Sequence, residues 1–287
     1  MPELPEVETV VRGLRATVVG DTIEDVWLSG RKQPLKSKPR EIVDVLTGAG
    51  ITAVRRMGKH IVIDLALSEQ PTPVKSPKRK SQITSHQSQV GTFIVHLGMT
   101  GRLLVVSPNE PIPKHTHFNA RLKSGRELRF VDPRMFGKLA VHCDEFETVG
   151  TEPLDIGFDQ FAGLFRGRKT PIKSALLNQK LLRGIGNIYA DESLARAGIR
   201  PRRRAATLTR ADLERLYRSM QQVLNEAIAA GGSSVSDYVD SAGEPGFFQF
   251  QHRVYGREDE PCLTCKTPIK RVVIGGRSSH YCPKCQK

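Results

Sequence analysis

Four cysteines near the end of the chain constrain its folding more than any other feature. Cys262 and Cys265 form one C-x2-C pair, and Cys282 and Cys285 form a second pair after sixteen intervening residues. This spacing is typical of zinc sites, and four thiolates complete a tetrahedral shell, which indicates a structural ion rather than a catalytic one. We therefore expect one Zn2+ bound by the four cysteines. The segment between the pairs predicts a β-hairpin finger.

Two arginines, Arg271 and Arg277, lie near the tip of this finger beside Gly275 and Gly276. The tip is either a solvated basic turn or a DNA contact. The chain carries 44 Lys and Arg against 30 Asp and Glu, a net charge of +14. Such a charge favours a polyanionic partner, nucleic acid before an anionic membrane, and so favours the DNA contact.

The chain has no segment that suggests a membrane or an export pathway. No uninterrupted apolar run approaches the roughly 20 residues of a membrane span. The first residues, with three glutamates among the first eight, are too acidic for a signal peptide. We therefore expect a cytoplasmic protein.

The first part of the chain predicts a helix followed by a β-sandwich. Apolar residues recur at helical spacing from Val7 to Val18, which predicts a leading helix. Extended segments follow, with a hairpin signal at 123–125, and predict a β-sandwich domain over residues 1–150. Residues near 69–90 are rich in Ser, Lys, Pro and Gln, and we expect a disordered insertion there, with a solvated loop favoured over a DNA contact.

After residue 150 the pattern becomes helical, so the whole chain is predicted to be an α+β protein. The longest predicted helix opens with a Thr209-x-x-Asp212 capping pattern and ends at Gly231. We expect a helical DNA-binding domain over residues 151–246 and the zinc finger over residues 247–287.

The segment "GIGN" lies between two predicted helices. Gly184 and Gly186 free the backbone to approach a phosphate, and Asn187 opens a helix whose N-terminus attracts anions. The turn is either a phosphate clamp or only a helix cap, and Lys173 nearby favours the clamp.

Two short turns, "HLGMTG" and "DPRMFG", place long side chains beside glycine. Met99 and Phe136 are either core residues or, with Arg134 adjacent, wedges that enter a base stack.

The chain opens "MPELPEVE". Removal of Met1 leaves Pro2 with a free secondary amine, a nucleophile toward a sugar's anomeric carbon, and Glu3 beside it can move protons. Glu6, one helical turn further on, can position water or Glu3. The other interpretation is simply a well-charged start of a helix.

Taken together and in order, these segments resemble the formamidopyrimidine-DNA glycosylases of bacterial base excision repair. The resemblance covers nearly the whole chain and is carried by "MPELPEVETV", "MGKH", "HLGMTGRL", "DPRMFG", "LLRGIGNIYADESL", "GGSSVSDY", "VYGR" and "YCPKCQK". It implies a β-sandwich lobe, a helix-two-turns-helix lobe and a zinc finger, with double-stranded DNA in the cleft. It also implies a monomer in the bacterial cytoplasm, associated with the nucleoid, that excises 8-oxoguanine and formamidopyrimidines and cleaves abasic sites by β,δ-elimination.

The resemblance also implies roles for individual residues. Pro2 is the nucleophile and Glu3 the proton donor. Lys59 of "MGKH" is a proton donor in the elimination steps and a phosphate contact. Asn187 and Arg277 bind the phosphates around the lesion, and Arg277 also acts in the elimination.

Further residues match the family's contacts with the distorted duplex. Met99, Arg134 and Phe136 match the residues that fill the void left by the flipped nucleotide. His96 and Tyr255 match contacts to the DNA backbone, and the loop after Gly232 matches the lid over the extruded base.

Three positions depart from the family pattern. The insertion near 69–90 is longer than the family pattern. Met135 stands where a basic residue often lies, which predicts that one phosphate contact is missing. Arg271 replaces an expected lysine and keeps its charge.

Two alternative functions stay open at this point. An endonuclease VIII-like enzyme has the same architecture and nucleophile but prefers oxidised pyrimidines. Its relatives tend toward "MPEGPE", whereas this chain has "MPELPE". A non-enzymatic zinc-finger DNA-binding protein explains the charge and the cysteines but not the combination of Pro2, Glu3 and Lys59.

Overall fold

The structure, a computed structural model, describes residues 1–67, 90–143, 146–235 and 237–287. By their contacts these residues form two compact units. One, here called the helical unit, comprises Met1–Val10, Arg56–His60 and Glu147–Lys287, and the other, the β unit, comprises Val11–Arg55 and Ile61–Phe146. These units group residues that are close in space and combine segments that are distant in sequence. They therefore do not test the predicted domain boundaries at residues 150 and 246, which stay predictions.

The first half of the chain alternates two helices with eight strands among its described residues. In chain order they are α1 (Leu4–Val18), β1 (Ile23–Leu28), α2 (Pro39–Leu46), β2 (Gly50–Met57), β3 (His60–Ala66), β4 (Val90–His96), β5 (Arg102–Val106), β6 (Thr116–Leu122), β7 (Glu127–Val131) and β8 (Lys138–His142). The predicted insertion near 69–90 lies outside the described residues except for Val90, the first residue of β4.

The predicted leading helix is confirmed as α1. Its apolar side chains at helical spacing are all fully buried: Val7, Val10, Val11, Leu14 and Val18. Pro5 lies in the first turn, where its missing N–H costs no hydrogen bond.

The predicted β-sandwich is confirmed in the β unit. One four-stranded sheet has the order β1-β6-β7-β5 and the other the order β2-β3-β4-β8. The hairpin predicted at 123–125 joins β6 to β7, and Gly125 adopts a φ of 82° there. The inner faces of the two sheets meet at Phe93 of β4 and Phe118 of β6, whose ring centroids are 5.0 Å apart.

Helix α2 is absent from the sequence-based prediction. It has only two fully buried apolar side chains, Ile42 and Leu46, which is too few to establish a helical period. Local signals define it instead. Pro39 begins it, and the Glu41 carboxylate accepts the backbone N–H of Lys38 at 3.2 Å.

The second half of the chain is helical up to the finger, as predicted. Its elements are α3 (Phe158–Gly163), α4 (Ile172–Leu176), α5 (Asn187–Ala197), a 3-10 turn (Ala205–Thr207), α6 (Arg210–Ala229), a second 3-10 turn (Phe248–Gln251), β9 (Lys270–Ile274) and β10 (Arg277–Tyr281). Among the helices in the described ranges, none is long and apolar enough to cross a membrane.

The predicted capping pattern of α6 is confirmed. The Thr209 hydroxyl accepts the backbone N–H of Asp212 at 3.1 Å, and the Asp212 carboxylate accepts the backbone N–H of Thr209 at 3.0 Å. Apolar side chains at helical spacing on α6 lie in the core of the helical unit: Leu213, Leu216, Met220, Val223 and Leu224.

The predicted hairpin finger is also confirmed. Strands β9 and β10 are antiparallel, with Ile274 opposite Arg277. The two residues of the turn, Gly275 and Gly276, have φ values of 55° and 74°, which favour glycine.

Candidate active site and zinc finger

Glu3 lies at the start of helix α5, within the helical unit. Its side chain is 4% exposed, and its carboxylate accepts the backbone N–H groups of Ile188 at 3.2 Å and Tyr189 at 3.4 Å. These N–H groups belong to the first turn of the helix, where they lack an intrahelical partner and where the helix dipole favours negative charge. The backbone N–H groups of Ile188 and Tyr189 are therefore occupied by Glu3 and are not free to bind a phosphate, as the phosphate-clamp interpretation of "GIGN" would require.

Two glycines allow the N-terminal segment to approach α5 this closely. A Cβ at Gly186 would lie 2.1 Å from Cδ of Glu3, so any side chain there would displace the carboxyl. Gly184 has a φ of 96°, and its carbonyl accepts the backbone N–H of Leu4 at 3.0 Å. The two glycines therefore fix where residues 3 and 4 lie.

Glu6 is the centre of a second set of hydrogen bonds. Its side chain is 2% exposed. The carboxylate accepts the backbone N–H groups of Glu3 and Ser233, each at 2.8 Å, and the hydroxyl of Tyr189. The Tyr238 hydroxyl donates to the carbonyl of Glu6 at 3.1 Å. Glu6 thus connects Glu3 and α5 to the segment that follows α6.

Burial raises the pKa of both carboxyls. For Glu3 burial is the largest influence on the pKa, opposed by the positive charge of Lys59 and the N–H groups of Ile188 and Tyr189. For Glu6 burial and the negative charge of Glu3 raise the pKa to about 7, against the hydrogen bonds that the carboxylate accepts. A carboxyl with a raised pKa can donate and accept protons near neutral pH.

The turn that carries Lys59 is held by a buried carboxylate, Glu152. Its Oε1 accepts the backbone N–H of Gly58 at 2.7 Å, and its Oε2 accepts Nη1 of Arg56 at 2.6 Å. Arg183, one residue before Gly184, donates to the same Oε1 at 2.9 Å. Glu152 therefore fixes the Lys59 turn relative to the "GIGN" turn.

Lys59 lies close enough to the two glutamates for their charges to interact. Burial lowers the pKa of its ammonium, the charges of Glu3 and Glu6 act in the opposite direction, and the charge of Arg277 lowers the pKa further. Because a buried lysine releases its proton more easily than an exposed one, Lys59 is suited to proton transfer.

Asn187 and Tyr255, both predicted to contact phosphates, lie side by side in the helical unit. Asn187 is the first residue of α5, and its Nδ2 donates to Oγ of Ser278 at 3.3 Å. Burial raises the pKa of the Tyr255 phenol, and a hydrogen bond from the Asn187 side chain opposes that shift. Their contact with phosphates stays a prediction.

Lys173 does not fit the predicted phosphate contact. Its side chain is fully buried, its Nζ lies 2.7 Å from Oδ1 of Asp191, and it donates to the carbonyl of Ser278 at 2.6 Å. The same aspartate accepts the backbone N–H of His280 at 2.9 Å. The prediction is therefore wrong for this residue: its ammonium connects α4 and α5 to β10, because sequence alone does not distinguish a buried ion pair from an exposed cation.

Both arginines of the finger are exposed. Arg277 is the first residue of β10, beside Ser278. Arg271 lies on β9 with its Nη1 3.8 Å from Oε2 of Glu258. An exposed ion pair of this length contributes little to stability, so both guanidinium groups are available to a polyanion.

The predicted wedge residues are exposed on two turns of the β unit. Met99 is 39% exposed and Phe136 is 46% exposed. The guanidinium of Arg134 lies 5.0 Å from the centre of the Phe136 ring. This exposure excludes the alternative that these side chains are core residues.

A buried aspartate, Asp132, fixes these two turns against each other. It accepts the Thr100 hydroxyl of the first turn at 2.6 Å and the backbone N–H of Gly137 of the second at 2.7 Å. A Cβ at Gly98 would lie 2.5 Å from the backbone N of Gly137, so the turns touch. His96, predicted to contact the DNA backbone, accepts the backbone N–H of Gly98 on Nδ1 at 3.0 Å.

The four cysteines of the finger form the predicted metal site. Their Sγ atoms all lie within 4.8 Å of one another. The distance is 3.9 Å between Cys262 and Cys285 and 3.4 Å between Cys265 and Cys282. Zn–S bonds of about 2.3 Å place the sulfurs of a tetrahedron about 3.8 Å apart, so the four thiolates fit one zinc ion and leave no open position.

Sequence analysis missed several residues that hold the site together. Glu152, Tyr189 and Ser233 each bond a predicted site residue or the turn that carries it. Ser233 and Glu6 are 227 positions apart, so no local pattern connects them. Tyr189 and Ser233 do lie in motifs that carry the family resemblance, "LLRGIGNIYADESL" and "GGSSVSDY", but neither motif indicates a bond to Glu6.

The chain matches three family models in succession. Residues 1–139 match the formamidopyrimidine-DNA glycosylase N-terminal domain, and residues 149–239 match the formamidopyrimidine-DNA glycosylase H2TH domain. Residues 259–287 match a zinc finger found in FPG and IleRS.

Individual proteins are similar over their whole length. A formamidopyrimidine-DNA glycosylase of Solibacter usitatus is 45% identical over 291 residues, which covers all of both chains. The crystal structure of MutM (FPG) from Thermus thermophilus is 37% identical, with a TM-score of 0.80 and coverage of 99% of this chain and 98% of that one. A mutant of Lactococcus lactis FPG in complex with Fapy-dG containing DNA is 28% identical, with a TM-score of 0.83 and full coverage of both.

The zinc site generates a prediction about folding. Cys265→Ser should abolish zinc binding and unfold the finger, because metal binding in such modules supplies folding free energy. Metal analysis should show about one zinc per chain for the wild type and none for the variant. Circular dichroism should still show the β unit folded, and Cys143→Ser, which alters an exposed cysteine outside the cluster, should keep its zinc. Full zinc content in the Cys265 variant would contradict the four-cysteine site.

Proposed function

The chain belongs to the formamidopyrimidine-DNA glycosylase family of base excision repair enzymes, and we propose that it excises oxidised purines from double-stranded DNA and cleaves the strand at the abasic site. The observation that carries the proposal is the buried carboxyl of Glu3 at the N-terminus of α5, next in sequence to Pro2. The Lactococcus lactis relative was solved with Fapy-dG containing DNA, and we extend that lesion class to this chain. Family membership excludes the alternative of a non-enzymatic DNA-binding protein.

Pro2 supplies the nucleophile once Met1 is removed. With Met1 attached, the nitrogen of Pro2 is an amide whose lone pair is delocalised into the carbonyl. As a free secondary amine it bonds to C1′ of the damaged nucleotide, and the bond from C1′ to the base breaks with its electron pair leaving on the base. Opening of the C1′–O4′ bond then forms an iminium, the Schiff base.

Glu3 supplies the protons that these steps need. The departing base and O4′ each gain an electron pair and take up a proton. Between the two transfers the carboxylate regains a proton from the Pro2 nitrogen, which loses its N–H proton after bonding to C1′ so that its electron pair can form the iminium. Because burial raises the pKa of Glu3, its carboxyl retains a proton to donate more readily than an exposed glutamate. Glu6 and the first turn of α5 hold the backbone and the carboxyl of Glu3 for this transfer.

Lys59 and Arg277 act in the elimination steps. The iminium acidifies the C2′ proton, and its removal breaks the C3′–O bond, after which a second elimination breaks the C5′–O bond. The lowered pKa of Lys59 allows it to donate to a leaving phosphate oxygen. The exposed Arg277 stabilises the phosphate as it departs.

The remaining predicted residues bind and distort the duplex. Asn187, Tyr255, His96 and Arg271 contact phosphates, and the net charge of +14 makes this binding salt-dependent. Met99, Arg134 and Phe136 fill the space left by the extruded nucleotide. The loop after Gly232 covers the extruded base. The protein acts as a monomer in the bacterial cytoplasm, on chromosomal DNA.

Borohydride trapping tests the function and the nucleophile together. The processed enzyme should be trapped covalently on an 8-oxoguanine duplex more efficiently than on a thymine glycol duplex, because borohydride reduces the iminium. A form that retains Met1 should bind the duplex but give no adduct. Glu3→Gln should keep trapping at a preformed abasic site and lose base excision. If the form that retains Met1 is still trapped, and the adduct maps to Lys59, the nucleophile is Lys59 and not Pro2. Preference for thymine glycol would indicate the endonuclease VIII-like alternative.

Gly186→Ala tests the position of Glu3. The added Cβ must displace the Glu3 carboxyl, so we expect single-turnover base excision to fall about 100-fold. Gly163→Ala is the matched control, because a Cβ there meets no atom within 4 Å. Equal rates for the two variants would show that the close approach of Glu3 to α5 is not required.

Glu6→Gln tests the titration of the buried network. In the wild type, protonation of Glu6 as the pH falls through about 7 turns one carboxylate oxygen into a hydroxyl and weakens the bonds accepted from Glu3, Ser233 and Tyr189, so base excision should decrease on the acid side. The glutamine variant cannot ionise, so its excision rate should not decrease as the pH falls through about 7. At higher pH its rate should be lower than that of the wild type. Single-turnover rates across the range from about pH 5.5 to 8.5 measure this, and an unchanged acid limb in the variant would assign it to another group.

Alanine variants at the two turns test the wedge. Met99→Ala, Arg134→Ala and Phe136→Ala should slow excision of a paired 8-oxoguanine more than cleavage at a preformed abasic site. Unstacking costs a few kcal/mol and is least for a missing base. Ile112→Ala, at another exposed apolar residue of the β unit, is the control. Equal losses on both substrates would contradict the wedge role.

A further inference from the structure

Ser233 and His252 form a buried polar pair in the helical unit that the chemistry above does not use. Ser233 is 5% exposed and His252 is 7% exposed. The Ser233 hydroxyl lies 3.1 Å from Nε2 of His252. A buried polar group without a partner is costly, so this contact constrains both side chains strongly.

Ser233 has both of its polar groups engaged at the start of the loop after Gly232. Its backbone N–H donates to Glu6, and its hydroxyl meets His252. The two residues before it, Gly231 and Gly232, have φ values of 74° and 85°, so the chain turns sharply as it leaves α6. The direction in which the loop departs is therefore set by Glu6 on one side and His252 on the other.

His252 connects that loop to Tyr255. Its ring packs edge-on against Phe248 and Tyr255, with a centroid distance of 5.6 Å in each case. The imidazole thus bridges the loop residue Ser233 and a residue that we place against DNA.

The environment of His252 keeps its ring neutral near physiological pH. Burial lowers its pKa to about 4, with the Arg257 charge acting in the same direction and the hydrogen bond to the Tyr255 backbone in the opposite one. A neutral imidazole has one ring nitrogen that donates and one that accepts, so it can form a full hydrogen bond with the Ser233 hydroxyl, which can itself donate or accept.

We propose that Ser233 and His252 are positioning residues whose hydrogen bond fixes the start of the loop after Gly232 against the segment that carries His252, so that the loop covers the extruded base. The inference rests on the proposed function, in which this loop covers the extruded base. An abasic site has no base to cover. Loss of the pair therefore affects base excision and leaves cleavage of a preformed abasic site nearly intact.

The experiment compares four variants of the full-length, processed enzyme. Ser233→Ala removes the donor, His252→Leu removes the imidazole, the double variant removes both, and His252→Gln keeps an acceptor and a donor in similar places. Single-turnover excision from an 8-oxoguanine duplex should fall about 10-fold in each single variant, the scale of one hydrogen bond. The double variant should be no slower than the slower single one, and the glutamine should restore most of the rate.

Cleavage of a preformed abasic duplex by the same proteins provides the second measurement. It should change less than about 2-fold, and melting temperatures should show that each variant is folded. Phe250→Gln is the matched control, because its side chain is 81% exposed two residues from His252, and it should behave as wild type on both substrates.

Additive losses in the double variant, equal losses on both substrates, or no loss at all would each overturn the positioning role. Absence of excision by the wild type would instead refute the proposed function. The two failures are therefore distinguishable.

Discussion

The contact on which the rest of the site depends is the one between the Glu3 carboxylate and the first turn of α5. Two otherwise unpaired N–H groups and the positive end of the helix dipole offset part of the cost of burying this charge. Gly186 permits the approach by lacking a Cβ. Because Pro2 directly precedes Glu3, the same contact also determines where Pro2, the nucleophile that we propose, lies.

Two other buried carboxylates also accept backbone or side-chain N–H groups, in their case from residues far apart in the sequence. Glu6 gathers the backbone of Glu3 and Ser233, and Glu152 gathers the Lys59 turn and Arg183. A carboxylate has several lone pairs and can accept from several chain segments at once. Each carboxylate therefore holds together the chain segments that donate to it. The position of one such segment then depends on the positions of the others.

In the finger and in the β unit, too, a few polar or charged groups hold separate turns together. Four thiolates around one zinc ion replace the hydrophobic core that a finger of this size lacks. In the β unit, Asp132 joins the two turns that expose Met99 and Phe136. Rigid supports of this kind allow exposed apolar and basic side chains to keep one arrangement, as the DNA contacts that we propose for them require.

The sequence by itself determined the features that depend on neighbours in the chain. Helical spacing defined α1, the Thr209 pattern defined the start of α6, and the cysteine spacing defined the zinc site, because each interaction spans a few residues or one short hairpin. The identity of Pro2, Glu3 and Lys59 as site residues came from the motifs that carry the family resemblance, and their roles stay predictions.

Only the tertiary structure decided which polar groups meet. Lys173 has the sequence context of a phosphate contact, yet Asp191 and the carbonyl of Ser278 surround it in the interior. No sequence pattern connects Ser233, which lies in "GGSSVSDY", to His252, yet the two meet through a buried hydrogen bond. The physical reason is that the partner of a buried polar group is whatever the fold brings within about 3 Å of it, and that choice is made by packing between segments that are distant in sequence.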